Sequence, residues 1–322
     1  MSLAFQSRQK PCHPDVLDLL ALKVTADFSS KVKDELVKIE QENACCKKSL
    51  LYGMALFSKS FSFSSVVFQS KSKETAELFL SLLEEICSVR AKMSASPSGK
   101  LYTVSVRKSV NASRIMSCFG HERGETSLRI NFSNFTCEDC QKTFIRGVFL
   151  ACGAVSSPEK DYHLEFSVPY LNLSKSLMTA LREVELSPKM TNRKGYNIIY
   201  FKDSEEIEDC LYIMGAGKSM FDMMNVKIVK EIRNTANRKA NCDAANIEKT
   251  VAAASPQIAA ILKIKEKKGL DSLPDGLRQM AEIRLENPDS SLGELSEMLE
   301  TPISRSGVNH RLSRLVKIAQ EL

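Results

Sequence analysis

The chain has 322 residues, of which 43% are hydrophobic and 26% charged, and its formal net charge is +6. One domain typically has about 100–200 residues, so this length and apolar content predict two globular domains and exclude a disordered chain. Since the sequence has neither a run of about 18 apolar residues nor a secretory signal pattern, we expect a cytoplasmic protein without a membrane-spanning segment, whose ten cysteines are reduced.

Two segments in the first half of the chain are similar to each other. Residues 46–58 read CKKSLLYGMALFS, and residues 140–152, which begin 94 residues later, read CQKTFIRGVFLAC. Cysteine, lysine and glycine coincide in the two copies, as do four apolar positions. A glycine inside a helix costs about 1 kcal/mol relative to alanine. Its presence at matching positions, Gly53 and Gly147, therefore predicts two helices that cross closely.

Similar elements follow the two copies. After the first copy the sequence predicts a β-rich stretch (Phe61–Phe68), a helix (Lys73–Arg90), a strand (Leu101–Lys108) and a short helix (Asn111–Cys118). After the second copy it predicts a strand (His163–Val168), a helix (Leu171–Val184), a strand (Tyr196–Lys202) and a helix (Ser204–Met214). We therefore predict an α+β fold with two halves, residues 27–134 and 135–220, related by a pseudo-two-fold axis; chance similarity of two amphipathic helices is the alternative.

The following segment, residues 221–268, is predicted to be a polar, helical linker. Four of its side chains fall on neighbouring turns and are candidates either for DNA contacts or for packing between domains: Arg233, Asn234, Asn237 and Arg238. Proline is favoured in the first turn of a helix, so Pro256, preceded by Ser255 as a cap, predicts that a new helix begins here and that the linker bends.

Residues 269–322 are predicted to form a helix-turn-helix domain. The first helix (Leu273–Asn287) ends before Pro288, and Ser291 with Glu294 forms a capping-box pattern at the start of a second helix. Ser304 is predicted to cap a third helix. The apolar residues of that helix recur at helical spacing and predict one buried stripe: Val308, Leu312, Leu315 and Ala319.

The other face of the third helix has the composition of a recognition helix. Serine, asparagine and arginine can bond base edges in the major groove, while further basic residues hold phosphates. The candidate DNA-binding residues are Ser304, Arg305, Ser306, Asn309, His310, Arg311, Ser313, Arg314 and Lys317. A small helical bundle with a solvated polar face is the alternative.

The repeated segments resemble degenerate LAGLIDADG helices of homing endonucleases, and three longer segments resemble the WhiA family: residues 144–166, 231–251 and 306–315. The resemblance begins near Phe28, so residues 1–26 are predicted to be an N-terminal extension and residues 27–220 a LAGLIDADG-like domain. It implies a transcription regulator of sporulation or cell division that binds double-stranded promoter DNA at the nucleoid. Contacts with other transcription factors or RNA polymerase stay open.

The resemblance also bears on catalysis. In active LAGLIDADG enzymes the eighth motif residue is acidic and holds a divalent metal ion, whereas Ser58 and Cys152 stand at these positions here, with Lys59 and Lys160 nearby in the sequence. Since Mg²⁺ requires oxygen ligands and metal-assisted cleavage requires the ion, we predict no enzyme activity and no cofactor. A divergent endonuclease that uses other acids, and a nucleoid or cell-division adaptor that acts mainly through protein contacts, are the alternatives.

In homing endonucleases the paired sheets form a saddle that grips DNA. The corresponding basic candidates are Lys71, Arg107, Lys108, Lys189, Arg193 and Lys194, with ordinary solvated side chains as the alternative. Two further pairs, Cys118 with His121 and Cys137 with Cys140, have zinc-like spacing. Because Cys140 matches Cys46 as a helix-packing residue, we expect no metal site.

Overall fold

The computed structural model describes residues 27–322; the predicted N-terminal extension, residues 1–26, lies outside the described residues. The chain divides into two compact units, an N-terminal unit that ends at Ile228 and a C-terminal unit, Val229–Leu322. None of the helices described is long and apolar enough to cross a membrane.

The first half of the N-terminal unit contains four helices and four strands. They are α1 (Phe28–Val37), α2 (Ala44–Leu56), β1 (Ser60–Phe61), β2 (Val66–Ser70), α3 (Lys73–Cys87), β3 (Lys92–Ala95), β4 (Tyr102–Val106) and α4 (Ser109–Cys118), followed by a 3₁₀ turn at Phe132–Asn134. The strands form an antiparallel sheet in the order β1-β2-β4-β3. Helix α3 covers this sheet, and Phe79 of the helix stacks on Phe68 of β2 with 4.4 Å between ring centroids.

The second half repeats this arrangement. It contains α5 (Glu138–Cys152), β5 (Gly153–Val155), β6 (Leu164–Val168), α6 (Leu171–Glu183), β7 (Lys189–Arg193), β8 (Tyr196–Phe201) and α7 (Ser204–Met214). Its antiparallel sheet has the order β5-β6-β8-β7, which is the topology of the first sheet. The predicted α+β fold with two related halves is confirmed. The short strands β3, β5 and β7 were not predicted, and β7 is exposed along its whole length.

The two halves meet where α2 crosses α5. A Cβ atom added to Gly53 would overlap the carbonyl oxygen of Phe144 and lie 2.9 Å from the backbone nitrogen of Val148. A Cβ added to Gly147 would overlap the carbonyl oxygen of Leu50 and lie 3.0 Å from the backbone nitrogen of Met54. The backbones therefore touch, and only glycine fits at either position, which explains the matched glycines of the two copies.

The C-terminal unit is all-helical. After the end of α8 (Gly217–Lys267) come a 3₁₀ turn (Leu270–Ser272), α9 (Asp275–Glu286), α10 (Leu292–Glu297) and α11 (Arg305–Gln320). The predicted capping box is present at the start of α10, where the Ser291 N–H donates to Glu294 Oε2 at 2.7 Å. The four apolar residues predicted to form the stripe of α11 are all buried in the core of this unit: Val308, Leu312, Leu315 and Ala319.

The predicted start of a new helix at Pro256 is wrong, because α8 continues through this residue. An internal proline costs about 3 kcal/mol, since it has no N–H to donate. The flanking alanines are strong helix formers, and Ala260, Ile261 and Ile264 after the proline pack into the core of the C-terminal unit. Their burial offsets the cost of the proline. These three residues belong to the segment that the sequence prediction placed in the linker.

Candidate nucleic-acid interface

Helix α11 has one buried face and one exposed polar face. It begins at Ser304, whose hydroxyl accepts a hydrogen bond from the Gly307 N–H at 3.2 Å. The exposed face consists of residues at helical spacing, which therefore point to the same side: Ser306, Asn309, His310, Ser313, Arg314 and Lys317. The helix thus presents a continuous row of hydrogen-bonding groups with two cations at its C-terminal end.

Three of the nine predicted contact residues have structural contacts as well. The Ser304 hydroxyl is occupied by the helix cap. The Arg305 guanidinium lies beside Gly293 of α10, so that a Cβ on this glycine would be 3.1 Å from Arg305 Nε. Arg311 is half-buried, and its Nη1 donates to the carbonyl oxygen of Gly276 on α9 at 3.3 Å. Arg311 therefore joins two helices of the domain, a role that its place in the sequence did not reveal.

The cations of the exposed face are not neutralised within the domain. Across residues 27–322, neither Arg314 nor Lys317 forms an ion pair, and Arg305 has none either. An acidic group close to this face would repel a phosphate. Among the described residues, no acidic side chain forms an ion pair with these three cations. Their charges are free to pair with an external anion, of which the DNA phosphate is one.

The four candidates on α8 are all exposed: Arg233, Asn234, Asn237 and Arg238. Arg233 and Asn237 are one helical turn apart, as are Asn234 and Arg238, so the four share one side of the helix. Among the described residues, no hydrogen bond or ion pair engages any of these side chains. The arrangement leaves them available for a partner.

The basic candidates of the N-terminal unit are exposed too: Lys71, Arg107, Lys108, Lys189, Arg193 and Lys194. Arg193 differs from the other five because it forms an ion pair: its Nη2 lies 2.9 Å from Glu165 Oε1. Glu165 also accepts a contact from His163 Nε2 at 2.9 Å. The charge of Arg193 is thus partly used within the sheet, whereas the other five cations face solvent.

The positions that match the acidic residues of homing endonucleases lie at the C-terminal ends of α2 and α5. Ser58 follows α2 and its hydroxyl donates to the Ser60 carbonyl oxygen at 2.9 Å. Cys152 is the last residue of α5, and burial raises the pKa of its thiol to about 12, so it stays neutral. Lys59 and Lys160, expected near these positions, are exposed.

A further cation, Lys33 of α1, was missed by the sequence analysis. Burial lowers the pKa of Lys33, the neighbouring Cys152 raises it and the neighbouring Lys71 lowers it. The Lys33 ammonium also lies 5.6 Å from the ring centroid of Phe149 on α5. No sequence signal could place Lys33 here, because α1 lies outside the repeated segments. A lysine beside Cys152 disfavours a bound metal cation.

The zinc-like pairs of the sequence do not combine as their spacing suggested. His121 contacts the Tyr52 hydroxyl at 3.0 Å and Glu125 Oε2 at 2.8 Å, and Cys118 Sγ lies 4.0 Å from the Ile86 carbonyl oxygen. Cys137 and Cys140 instead lie beside Cys45 and Cys46. Within the described part of the chain, these four cysteines are the one group of His, Cys, Asp or Glu side chains arranged to hold a metal ion.

Two family models match the chain. The model described as the WhiA LAGLIDADG-like domain matches residues 141–233, and the model described as the WhiA C-terminal HTH domain matches residues 236–319. The second match includes α11 with its exposed polar face and begins within α8.

Similar proteins and a similar structure cover nearly the whole chain. A probable cell division protein WhiA from Clostridium beijerinckii is 37% identical, over 92% of this chain and 98% of the relative. One from Caldicellulosiruptor saccharolyticus is 34% identical, over 92% and 95%. The crystal structure of full-length WhiA from Thermotoga maritima has a TM-score of 0.58, over 92% of this chain and 99% of that chain. Because the two sequences are 23% identical, this similarity shows a shared fold.

Proposed function

Because the chain belongs to the WhiA family, with a LAGLIDADG-like domain and a helix-turn-helix domain, we propose that it is a sequence-specific DNA-binding regulator of transcription. Its relatives are named as probable cell division proteins, and control of cell division or sporulation genes is the corresponding role here. The protein then works in the cytoplasm, on promoter DNA at the nucleoid.

One observation carries the proposal: α11 combines a fully buried apolar stripe with an exposed face of unpaired polar and basic side chains. A helix fixed in this way can lie in the major groove, which is about 12 Å wide and admits an α-helix. Asn309, near the N-terminal end, is placed to read base edges, and asparagine pairs with adenine through two hydrogen bonds. Arg314 and Lys317 are placed further along the helix to hold phosphates.

The N-terminal unit is proposed to add affinity and not to cut DNA. A nuclease of this fold needs carboxylates at the ends of the paired helices, where this chain has Ser58 and Cys152. Lys33, beside Cys152, adds a basic group at the position where active LAGLIDADG enzymes hold a divalent cation. The exposed cations on the sheets and their edges, such as Arg107 and Lys189, can pair with phosphates without reading sequence.

The test of sequence reading uses DNA fragments recovered with the protein from chromosomal binding-site mapping. Fluorescence anisotropy measures the dissociation constant for a recovered fragment and for a random fragment, at several salt concentrations. Asn309→Ala should weaken binding to the preferred fragment by about 1–3 kcal/mol and leave binding to the random fragment nearly unchanged. Arg314→Ala should weaken both and reduce the slope of log K against log salt by about 0.9.

Arg278→Ala is the matched control, since this arginine of α9 pairs with Asp271 and Asp275 and lies outside α11. It should leave both affinities unchanged. Equal effects of Asn309→Ala on preferred and random DNA would contradict the assigned readout. Binding that disappears in the presence of competitor DNA would favour the protein-adaptor alternative, because phosphate contacts alone do not survive such competition.

A separate test addresses catalysis. The purified protein is incubated with supercoiled plasmid that carries the recovered site, in the presence of Mg²⁺ or Mn²⁺, and we expect no nicked or linear product. Nicking that is lost on substitution of Cys152 or Ser58 would overturn the proposal of an inactive scaffold and restore the endonuclease alternative.

A further inference from the structure

Four cysteines from both halves of the N-terminal unit meet at one point. Cys45 and Cys46 lie in the first turn of α2, Cys137 is the N-cap residue of α5, and Cys140 lies in the first turn of α5. Their sulfur atoms all lie within 4.8 Å of one another. The Sγ of Cys137 is 3.6 Å from that of Cys45, 3.5 Å from that of Cys46 and 3.4 Å from that of Cys140.

We propose that these four thiolates bind one structural zinc ion. In a tetrahedral site with Zn–S bonds of about 2.3 Å, neighbouring sulfur atoms are about 3.8 Å apart. Three of the observed separations are 3.4–3.6 Å and the others are at most 4.8 Å, so the four sulfurs fit a single ion after shifts of up to about 1 Å. An iron–sulfur cluster distributes its thiolates over two or more iron atoms, which requires a wider ring of sulfurs than this one.

The cluster lies at two helix N-termini. Both α2 and α5 point their N-terminal ends at it, and helix N-termini carry partial positive charge and free N–H groups that stabilise thiolates. Cys46 and Cys140 are 4% and 0% exposed, whereas Cys45 and Cys137 reach the surface. The site thus combines an enclosed side with an open side through which an ion can enter.

A buried cation provides the matching charge. Arg146 of α5 is 8% exposed and lies along the same small cavity as Cys46. Its Nε donates to the Met214 carbonyl oxygen at 2.6 Å, but its Nη1 has no hydrogen-bond partner among the described residues. Zinc with four thiolates carries a net charge of −2, so a filled site would compensate the buried charge of this arginine.

This site is distinct from the degenerate nuclease centre. Cys46 and Ser58 are twelve residues apart, which corresponds to about 18 Å along a helix, so the two sites lie at opposite ends of the α2–α5 pair. Four protein ligands leave no open position for a substrate, which is typical of structural zinc. The ion would connect the N-terminal ends of α2 and α5, about 10 Å along each helix from the glycine crossing, and so join the two halves of the fold.

The first experiment measures metal in the wild-type protein. The full-length chain is purified under reducing conditions without chelator, and zinc and iron are determined by inductively coupled plasma mass spectrometry. We expect about one zinc per chain and no iron. Iron in place of zinc would overturn the choice of metal, and protein with neither metal, or with disulfides among these cysteines under reducing conditions, would overturn the site.

The second experiment uses a variant that keeps its fold. Serine is a better N-cap residue than cysteine, so Cys137→Ser preserves the start of α5 while removing one ligand. We expect its zinc affinity, measured by competition with a chromophoric chelator, to fall by more than about 100-fold, since even loss of a group that only orients a ligand costs about 10–100-fold. Cys242→Ser is the control, because Cys242 is exposed on α8, and it should retain zinc.

Cobalt identifies the ligands. Addition of Co²⁺ to the metal-free protein should produce the intense visible bands of tetrahedral cobalt and the near-ultraviolet charge-transfer bands of cobalt bound to thiolate. Cys137→Ser should weaken the charge-transfer bands, while circular dichroism shows an unchanged fold. The weak spectrum of octahedral cobalt in the wild-type protein would refute the four-thiolate site.

Discussion

Substitution of Gly147 by alanine should loosen the joint between the two halves of the N-terminal unit. The new Cβ would overlap the Leu50 carbonyl oxygen and lie 3.0 Å from the Met54 nitrogen, both backbone atoms that cannot rotate away. The helices must therefore separate by about 1 Å, and a gap of 0.5–1 Å forfeits about a quarter to a half of each dispersion contact.

Two opposing effects set the change in the free energy of unfolding that Gly147→Ala causes. Overpacking of a close-packed interior costs about 1–3 kcal/mol and occasionally more, and a clash between two backbones belongs at or above the upper end. Alanine regains about 1 kcal/mol of helix propensity. The net loss is at least about 2 kcal/mol, which for a unit of this size lowers Tm by about 4–8 °C.

Thermal unfolding by circular dichroism measures this effect, and hydrogen exchange of the α2 and α5 amides assigns it to the N-terminal unit. Gly217→Ala is the matched control, because a Cβ at this first residue of α8 meets no atom within 4 Å. It should leave Tm unchanged or slightly higher. If Gly147→Ala were as stable as Gly217→Ala, the inference that backbone contact requires the glycines would be refuted.

Three further substitutions separate structural from functional charges. Arg311→Ala should destabilise the C-terminal unit by about 1 kcal/mol through loss of the bond to Gly276, without a change in the salt dependence of DNA binding; a changed salt slope with unchanged Tm would contradict this. Arg284→Ala should cost about 1.5–3 kcal/mol in urea unfolding, because the buried guanidinium donates to three backbone carbonyls after α9, and Arg284→Lys should recover only part of the loss. Lys33→Met should raise the Tm of the N-terminal unit at neutral pH. Burial lowers the pKa of Lys33, so the folded state disfavours the protonated form; this penalty fades as pH rises towards the ordinary value of 10.5, and the gain of the variant should shrink in parallel. A gain that is constant from pH 7 to 10.5 would contradict the burial argument.

The periodic features of the sequence were sufficient to predict the long elements. The spacing of Val308, Leu312 and Leu315 predicted the buried side of α11, because residues three and four apart on a helix share one face. Ser291 and Ser304 predicted helix starts, since a hydroxyl can satisfy free N–H groups locally. The short strand β7 was missed because its five residues are exposed and lack the alternation that marks a half-buried strand.

The candidate site was predictable only in part. The composition of α11 predicted an exposed basic face, but it did not distinguish Arg314, which points to solvent, from Arg311, which packs on α9. The difference depends on where α9 lies, and that is a property of the tertiary structure. The prediction of a helix break at Pro256 was wrong for a related reason. Burial of residues further along α8 stabilises the helix beyond the proline.

The sequence by itself determined the duplication, the family and the face that α11 turns to solvent, because each is encoded in neighbouring residues or in a fixed repeat. Only the tertiary structure placed Lys33 beside Cys152 and brought Cys45 and Cys46 to Cys137 and Cys140. These groups are about ninety or more residues apart in the chain. The repeat matched Cys46 with Cys140, but no pattern in the sequence related Cys45 to Cys137 or Lys33 to Cys152. The four cysteines meet because two glycines allow α2 and α5 to touch, and the crossing fixes which helix ends become neighbours.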